Sequence, residues 1–388
     1  MTSPLNGLLA LDLSRLLPGP YCSLLLAELG CEVIKVEEPE EGDNARVLIP
    51  IIFEAFNRNK KSISLNLKHL KGKEAFIRLV EQSDILIEGF RPGAMDRLGL
   101  GYETLRKFNE KLIYCAISGY GQNNPYSNLS GHDLNYMAVS GMLSLSGSPD
   151  GPPFTGIGLP IADLTSGMFA ATGILAALQM RHKTGKGQFI DVSMTDCLLS
   201  LVGAYFPEHQ HIKVTKRKKM FRPGYAVFRT KDDKFIVIGA IENVFWNKLV
   251  ETLELGDQFS GPKYDSFDNR MEHVEEINHT IQSIIINQTA QKWIELFNSK
   301  DVPCSKVNFL DDLEGDPYIV NRGMIVGLNT PSFGNLKVVK FPLKFSQTTT
   351  EIKNSAPRLG EHNQEIFQRI GLNADDINDL KGVNGKVF

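Results

Sequence analysis

Three short patches each carry one proton-handling side chain: Gly131-His132-Asp133-Leu134-Asn135-Tyr136, Ile161-Ala162-Asp163-Leu164-Thr165-Ser166-Gly167 and Gly239-Ala240-Ile241-Glu242. An imidazole and a carboxylate can act as two opposed acid/base groups, and a second carboxylate can hold the imidazole in one tautomer. Such a set suits taking a proton off one face of a carbon and placing another on the opposite face. Each residue alone has an ordinary reading. A His in Gly-His-Asp commonly sits in a turn, and a Glu after a strand is commonly solvated. Asp163, ahead of an apolar run, is a good helix N-cap, its carboxylate accepting from free backbone N–H groups.

The elements that must position these groups follow from periodicity. The first half alternates apolar runs with helical patterns, as βαβ units do. Strands are expected over 8–13, 32–36, 62–66, 84–88 and 112–118, with helices over 21–29, opened by Pro18-Gly19-Pro20, and over 70–82. A strong helix is expected over 164–181, stopped by Thr184-Gly185-Lys186-Gly187. Beyond 191 come a helix over 192–204, a basic run over 213–222, a strand over 235–239 and helices over 243–253, 273–287 and 289–298. The fold class is α/β: a large domain over 1–204 with a doubly wound, Rossmann-like sheet, then a smaller α+β domain over 205–325. In such sheets ligands gather at the carboxyl ends of the strands. Gly99-Leu100-Gly101 and Gly156-Ile157-Gly158 lack the third glycine and the preceding strand of a dinucleotide site, so NAD chemistry has little support.

Bulk composition narrows the class. A chain of 388 residues makes two domains or one large fold with an inserted lobe. Hydrophobic residues at 42% and charged residues at 22% describe an ordinary globular protein. The net charge of −3 gives no global reason to expect nucleic acid. Five cysteines without a CxxC pair point to buried thiols, not to zinc or disulfides. The first residues lack a signal-peptide pattern, the apolar stretch over 168–180 is too short to span a bilayer, and the last four residues are no peroxisomal signal. A cytoplasmic location without membrane association is the expectation.

The wording "GHDLNYMAVSG", "IADLTSG" and "VIGAIENVFW" resembles the α-methylacyl-CoA racemases, a branch of the family III CoA-transferase superfamily. The resemblance runs over nearly the whole chain, from "GLLALDLSRLLPGPYCSLLLAELGCEVIKVEEPEEGD" through "NRNKKSISLNLK", "DILIEGFRPGAMDRLGLGYETL", "LIYCAISGYGQ" and "ATGILAALQMRHKTGKGQFIDVSM" to "APRLGEHNQEI". It implies inversion of the α-carbon of a 2-methyl-branched acyl-CoA through an enolate. His132 and Asp163 would be the acid/base pair, and Glu242 would orient His132. Asp163 must then spend time protonated, which burial and a nearby carboxylate favour. Its backbone N–H, free at a helix start, is expected to meet the enolate oxygen.

Asp133 and Tyr136 are expected as neighbours of this site. For CoA the resemblance offers Arg58, Lys60, Lys68 and Arg91 as phosphate donors and Gly121 as a close-approach position, with Lys35 and Arg46 as weaker candidates. CoA is part of the substrate, so no separate cofactor and no metal is implied, and no nucleic acid or membrane partner. The family also implies an interlocked homodimer, with Glu242 supplied by the partner chain, and a segment over 326–388 that returns to the large domain. Two departures stand out: the "EEPEEGD" loop is acidic where relatives carry a basic residue, and the basic run over 213–222 reads best as a solvated loop.

Two rival readings remain. In a family III CoA-transferase, Asp163 would be a nucleophile forming an acyl-enzyme anhydride. The His132 and Glu242 patches, and the lack of a glycine-rich small-domain loop, favour the racemase. A non-catalytic acyl-CoA-binding protein is the other alternative.

Overall fold

The computed structural model describes residues 3–147, 151–155, 158–211 and 221–384, so most of the basic run over 213–222 lies outside the described residues, as do Gly156 and Ile157. The chain divides into two compact units. The first comprises Met1–Leu143, Thr155–Tyr205 and Arg322–Phe388; the second comprises Ser144–Phe154 and Phe206–Asn321.

The first unit is built on six parallel strands, β1 (Leu9–Asp12), β2 (Glu32–Glu37), β3 (Lys61–Ser64), β4 (Ile85–Glu88), β5 (Ile113–Ser118) and β6 (Phe189–Ser193), in the order β3-β2-β1-β4-β5-β6. This is the doubly wound, Rossmann-like order, reversing between β1 and β4. Leu11 is registered against Ile34 on one side and Leu86 on the other. The inner strands are covered on both faces, which is why they are continuous apolar runs. Ala10, Ile85 and Ile87 join one core, with Leu26, Ile174 and Leu178 from the helices Pro18–Glu28 and Ile161–Thr184. Leu11 and Leu86, pointing the other way, meet Phe76, Leu79 and Val80 of the helix Leu70–Gln82, together with Ile366 and Phe367.

Two elements differ from expectation. β6 had no place among the expected strands: it is an edge strand with exposed Phe189 and Asp191, and its five residues run straight into the next helix, so the helical pattern masks it. The helix expected over 164–181 runs over Ile161–Thr184 and ends at Gly185, whose φ of 73° suits a residue without a Cβ. By length and composition this helix could cross a membrane, but half of its apolar window is buried in the fold. Gly167 lets it approach Pro18–Glu28, since a Cβ there would stand 2.7 Å from the Pro18 carbonyl oxygen.

The second unit has an antiparallel sheet of β7 (Tyr225–Arg229), β8 (Phe235–Gly239) and β9 (Cys304–Lys306). Helices Asn243–Thr252, Val274–Ile285 and Ala290–Ser299 pack on it through Trp246, Leu249, Ile281, Trp293 and Phe297, an α+β arrangement. The chain then re-enters the first unit through the hairpin of β10 (Ile325–Thr330) and β11 (Gly334–Val339). The helix Asn363–Arg369 closes on the outer edge of β3: the Ser64 N–H donates to Asn363 Oδ1 at 2.8 Å and the His362 N–H donates to the Ser62 carbonyl at 2.9 Å.

Beneath the end of β1 lies a fully buried set of charges. Lys60 Nζ stands 3.1 Å from Asp12 Oδ2, and Lys35 Nζ stands 2.8 Å from Asp43 Oδ2. Ser14 and Ser23 donate to the two Asp12 oxygens, and Lys60 also donates to Pro20 O and Asn57 Oδ1. Burial pushes the Asp12 carboxyl up, but Lys35, Lys60 and the two hydroxyls outweigh it and hold it well below the usual carboxylate range. Breaking a buried pair by deleting one partner costs about 3–5 kcal/mol, because the other charge stays buried. Asp12→Ala is therefore expected to lower unfolding stability by about that amount in urea titration; a loss below about 1 kcal/mol would show that the network relaxes without cost.

Candidate active site

β5 delivers the chain to Gly119-Tyr120-Gly121, a turn locked from two sides. Gly121 has φ of 76° and the Gln122 N–H donates to Asp191 Oδ2 on β6 at 2.9 Å. A Cβ on Gly119 would stand 2.3 Å from the Tyr136 ring, so the ring lies directly on that backbone. The Tyr136 hydroxyl donates to Gly131 O at 2.6 Å, and Tyr120 meets its ring edge-on at 5.2 Å. Burial pushes this hydroxyl up to about 12, so it is protonated at neutral pH.

Tyr136 thus anchors both ends of the loop that carries His132. His132 is exposed and stands at the N-terminal boundary of the helix Asp133–Val139, its backbone N–H donating to Asn135 Oδ1 at 3.0 Å. The next residue, Asp133, reaches the start of the long helix: the Ala162 N–H donates to Asp133 Oδ1 at 2.6 Å. Burial raises the Asp133 carboxyl, and the N–H groups of Ala162 and Asp163 pull it back.

This corrects one expectation. Asp163 is not the N-cap: the helix begins at Ile161 after Pro160, which puts Asp163 inside the first turn, and Asp133 supplies the capping carboxylate. Released from capping, the Asp163 carboxyl is pushed up to about 7 by burial and by the neighbouring Asp133 carboxylate. Tyr136 lies in the fields of both Asp163 and Arg91, and Arg91 Nη2 donates to Ser130 Oγ at 2.7 Å. Arg91, Asp133, Tyr136 and Asp163 therefore share one neighbourhood, with His132 adjoining Asp133.

Glu242 lies in the second unit, exposed, at the start of the helix Asn243–Thr252, where its carbonyl accepts the Trp246 N–H at 2.9 Å. Arg270 holds the residue on either side of it, Ile241 by its backbone and Asn243 by its side chain. This guanidinium is fully buried, donates to Ile241 O at 3.1 Å and Asn243 Oδ1 at 2.9 Å, and lies 4.9 Å from the Trp246 ring. Nothing in its local sequence, Phe267-Asp268-Asn269-Arg270-Met271, signals that role.

The cations expected for CoA divide. Arg58 is buried against Glu28 Oε1 at 2.6 Å and donates to Val339 O at 2.9 Å. Lys60 and Lys35 belong to the buried Asp12 set, and Arg46 grips both oxygens of Glu37 at 2.7 and 2.8 Å. These four stand in internal ion pairs with Asp12 and Glu37 at strand ends, Glu28 at a helix end and Asp43 in the acidic loop. Lys68 and Arg91 remain exposed. Among the described residues no group of His, Cys, Asp and Glu is arranged to hold a metal ion.

The raised Asp163 has a stability signature. Between the ordinary carboxylate value of 3.8 and about 7 the folded chain holds a proton that the unfolded chain has lost, so stability falls as pH rises through that window. An amide at that position cannot ionise, so Asp163→Asn should gain on the parent with rising pH, by about 1–3 kcal/mol at pH 8 and by little at pH 4. Urea titrations at the two pH values measure this; a pH-independent difference would contradict the assignment.

The model of CoA-transferase family III matches residues 5–363. The succinyl-CoA–D-citramalate CoA-transferase of Chloroflexus aurantiacus is 33% identical over 388 residues, 96% of each chain. The human succinyl-CoA:glutarate CoA-transferase is 32% identical over 96% of this chain and 87% of its own. The formyl-CoA:oxalate CoA-transferase of Escherichia coli O157:H7 is 30% identical over 98% and 99%. Among solved structures, a CAIB/BAIF family protein from Brucella suis superposes with a TM-score of 0.85 at 29% identity, covering 95% of this chain and all of that one. The parallel six-stranded scaffold, the family match over nearly the full length and these relatives agree: the chain belongs to CoA-transferase family III.

Proposed function

We propose that the chain inverts the α-carbon of 2-methyl-branched acyl-CoA thioesters, with His132 and Asp163 as the acid/base pair. The observation that carries this reading is the Asp163 carboxyl pushed up to about 7, next to the helix start that bears His132. Two-way proton transfer needs a group that is populated in both protonation states at the working pH. The thioester carbonyl acidifies the α-C–H bond. Neutral His132 takes that proton, the electron pair moves onto the carbonyl oxygen as an enolate, and protonated Asp163 gives its proton to the opposite face. The reverse reaction exchanges the two roles. Asp133 keeps Asp163 partly protonated by its charge, and Tyr136 holds the loop that presents His132.

A homodimer would supply Glu242 of the second chain to orient His132. In support, the helix Ile161–Thr184 leaves Met168, Phe169, Leu175 and Met180 exposed, and the helix Met194–Val202 leaves Leu199 and Leu201, apolar surface that a second copy would cover. Light scattering of the purified chain is expected to give a dimer mass; a fully active monomer would remove Glu242 from the mechanism.

CoA transfer between carboxylates is the second reading, favoured by the activities in the relatives' names. There the ionised Asp163 attacks the thioester carbonyl, the CoA thiolate leaves, and a mixed anhydride forms on the enzyme. Proton NMR of a 2-methylacyl-CoA in D₂O separates the two. The expected result is loss of the α-proton signal with racemisation, reduced roughly 10²–10⁴-fold in both His132→Ala and Asp163→Ala. CoA passing to added succinate, dependent on Asp163 and indifferent to His132→Ala, would put the transferase in its place.

A further inference from the structure

Glu242 combines a free side chain with a fixed backbone. The residue is exposed, and its carboxylate makes no cap bond to the helix that it opens. The chain around it is tied at each step. The Ala240 N–H donates to Gly224 O at 2.9 Å, and the Gly224 N–H donates to Asn278 Oδ1 at 2.9 Å. The Glu242 carbonyl accepts the N–H groups of Phe245 and Trp246 at 3.0 and 2.9 Å. Arg270 holds Ile241 O and Asn243 Oδ1 with a single nitrogen, Nη2, and Asn243 Nδ2 donates onward to Asp265 O at 3.2 Å.

Stability does not account for a guanidinium in that place. Arg270 is fully buried, and among the described residues no carboxylate forms an ion pair with it; Asp265 reaches it only through its field. Its Nη1 donates to Tyr264 O at 3.1 Å, while its Nε finds no acceptor among the described residues. A buried charge without a counter-charge costs free energy, and replacing buried charges by apolar groups of similar volume is often neutral or stabilising. What the guanidinium supplies is a rigid planar fork, braced here by the Trp246 ring 4.9 Å away. Because the fork spans Ile241 and Asn243, it fixes the direction in which the residue between them leaves the backbone.

We infer that Arg270 is a positioning residue for the reaction, holding the Ile241–Asn243 turn so that the free Glu242 carboxylate is presented in one orientation. The inference rests on the proposed role of Glu242 in orienting His132. A double-mutant cycle on the full chain tests it, with α-proton exchange of a 2-methylacyl-CoA in D₂O as the readout. Glu242→Gln should slow exchange about tenfold or more. Arg270→Lys keeps the charge and loses the fork, and should lower kcat about tenfold with KM within about twofold. In the Glu242→Gln background the same Arg270→Lys change should cost less than about twofold, because the group it positions is gone. Asn243→Ala, at an exposed position, should repeat this dependence on Glu242 at about threefold, and it carries the test if Arg270→Lys fails to fold. Equal losses with and without Glu242 would overturn the inference alone, since a merely structural role acts alike in both backgrounds. Exchange absent from the parent, or untouched by Glu242→Gln, would instead remove the reading beneath it and the inference together.

Discussion

The hydrogen bond from the Ala162 N–H to the Asp133 carboxylate is the constraint on which the candidate site depends. It ties the loop that follows β5 to the first turn of the longest helix in the first unit, and it does so with a charge. A helix start offers several N–H groups and a positive dipole end, so some acceptor must take that place. Because Asp133 takes it, Asp163, the next residue along, has no such duty and faces a neighbouring carboxylate instead. The same contact therefore builds the geometry and sets the proton affinity. Tyr136 completes the arrangement, its ring filling the space that a side chain on Gly119 would need.

The charges under β1 play a comparable part for the scaffold. Parallel sheets are covered on both faces, so a carboxylate at a strand end is either exposed at the rim or fully neutralised. Asp12 is neutralised by two lysines and two hydroxyls, and Lys35 is shared with Asp43 from the acidic loop. The acidity of that loop, odd in a member of CoA-transferase family III, has this structural outlet: Asp43 and Glu37 serve Lys35 and Arg46 within the fold.

How much of this was legible in the sequence depends on the range of the interaction. β1, β2, β4 and β5 announce themselves as apolar runs, and the helix Ile161–Thr184 by its length and its Gly185 stop, because burial and capping act locally. The His132, Asp163 and Glu242 patches stood out by residue type. What stayed hidden was pairing across distance. Nothing near Arg58 or Lys60 says that Glu28 and Asp12 will claim them, and nothing near Asp163 says that Asp133 will do the capping. β6 hid for a different reason: an edge strand with one wet face carries half the apolar signal of a central one.

The closure of β3 by Asn363 also has a consequence for how the chain is made. Ser64 waits for a partner 299 residues away in sequence. During synthesis the outer edge of the sheet stays open, with its backbone groups ready to pair with another chain, until Asn363 has left the ribosome. The second unit, whose main segment lies wholly between the two halves of that contact, can bury most of its core well before then. A segment translated 299 residues later is thus the one that protects this early strand.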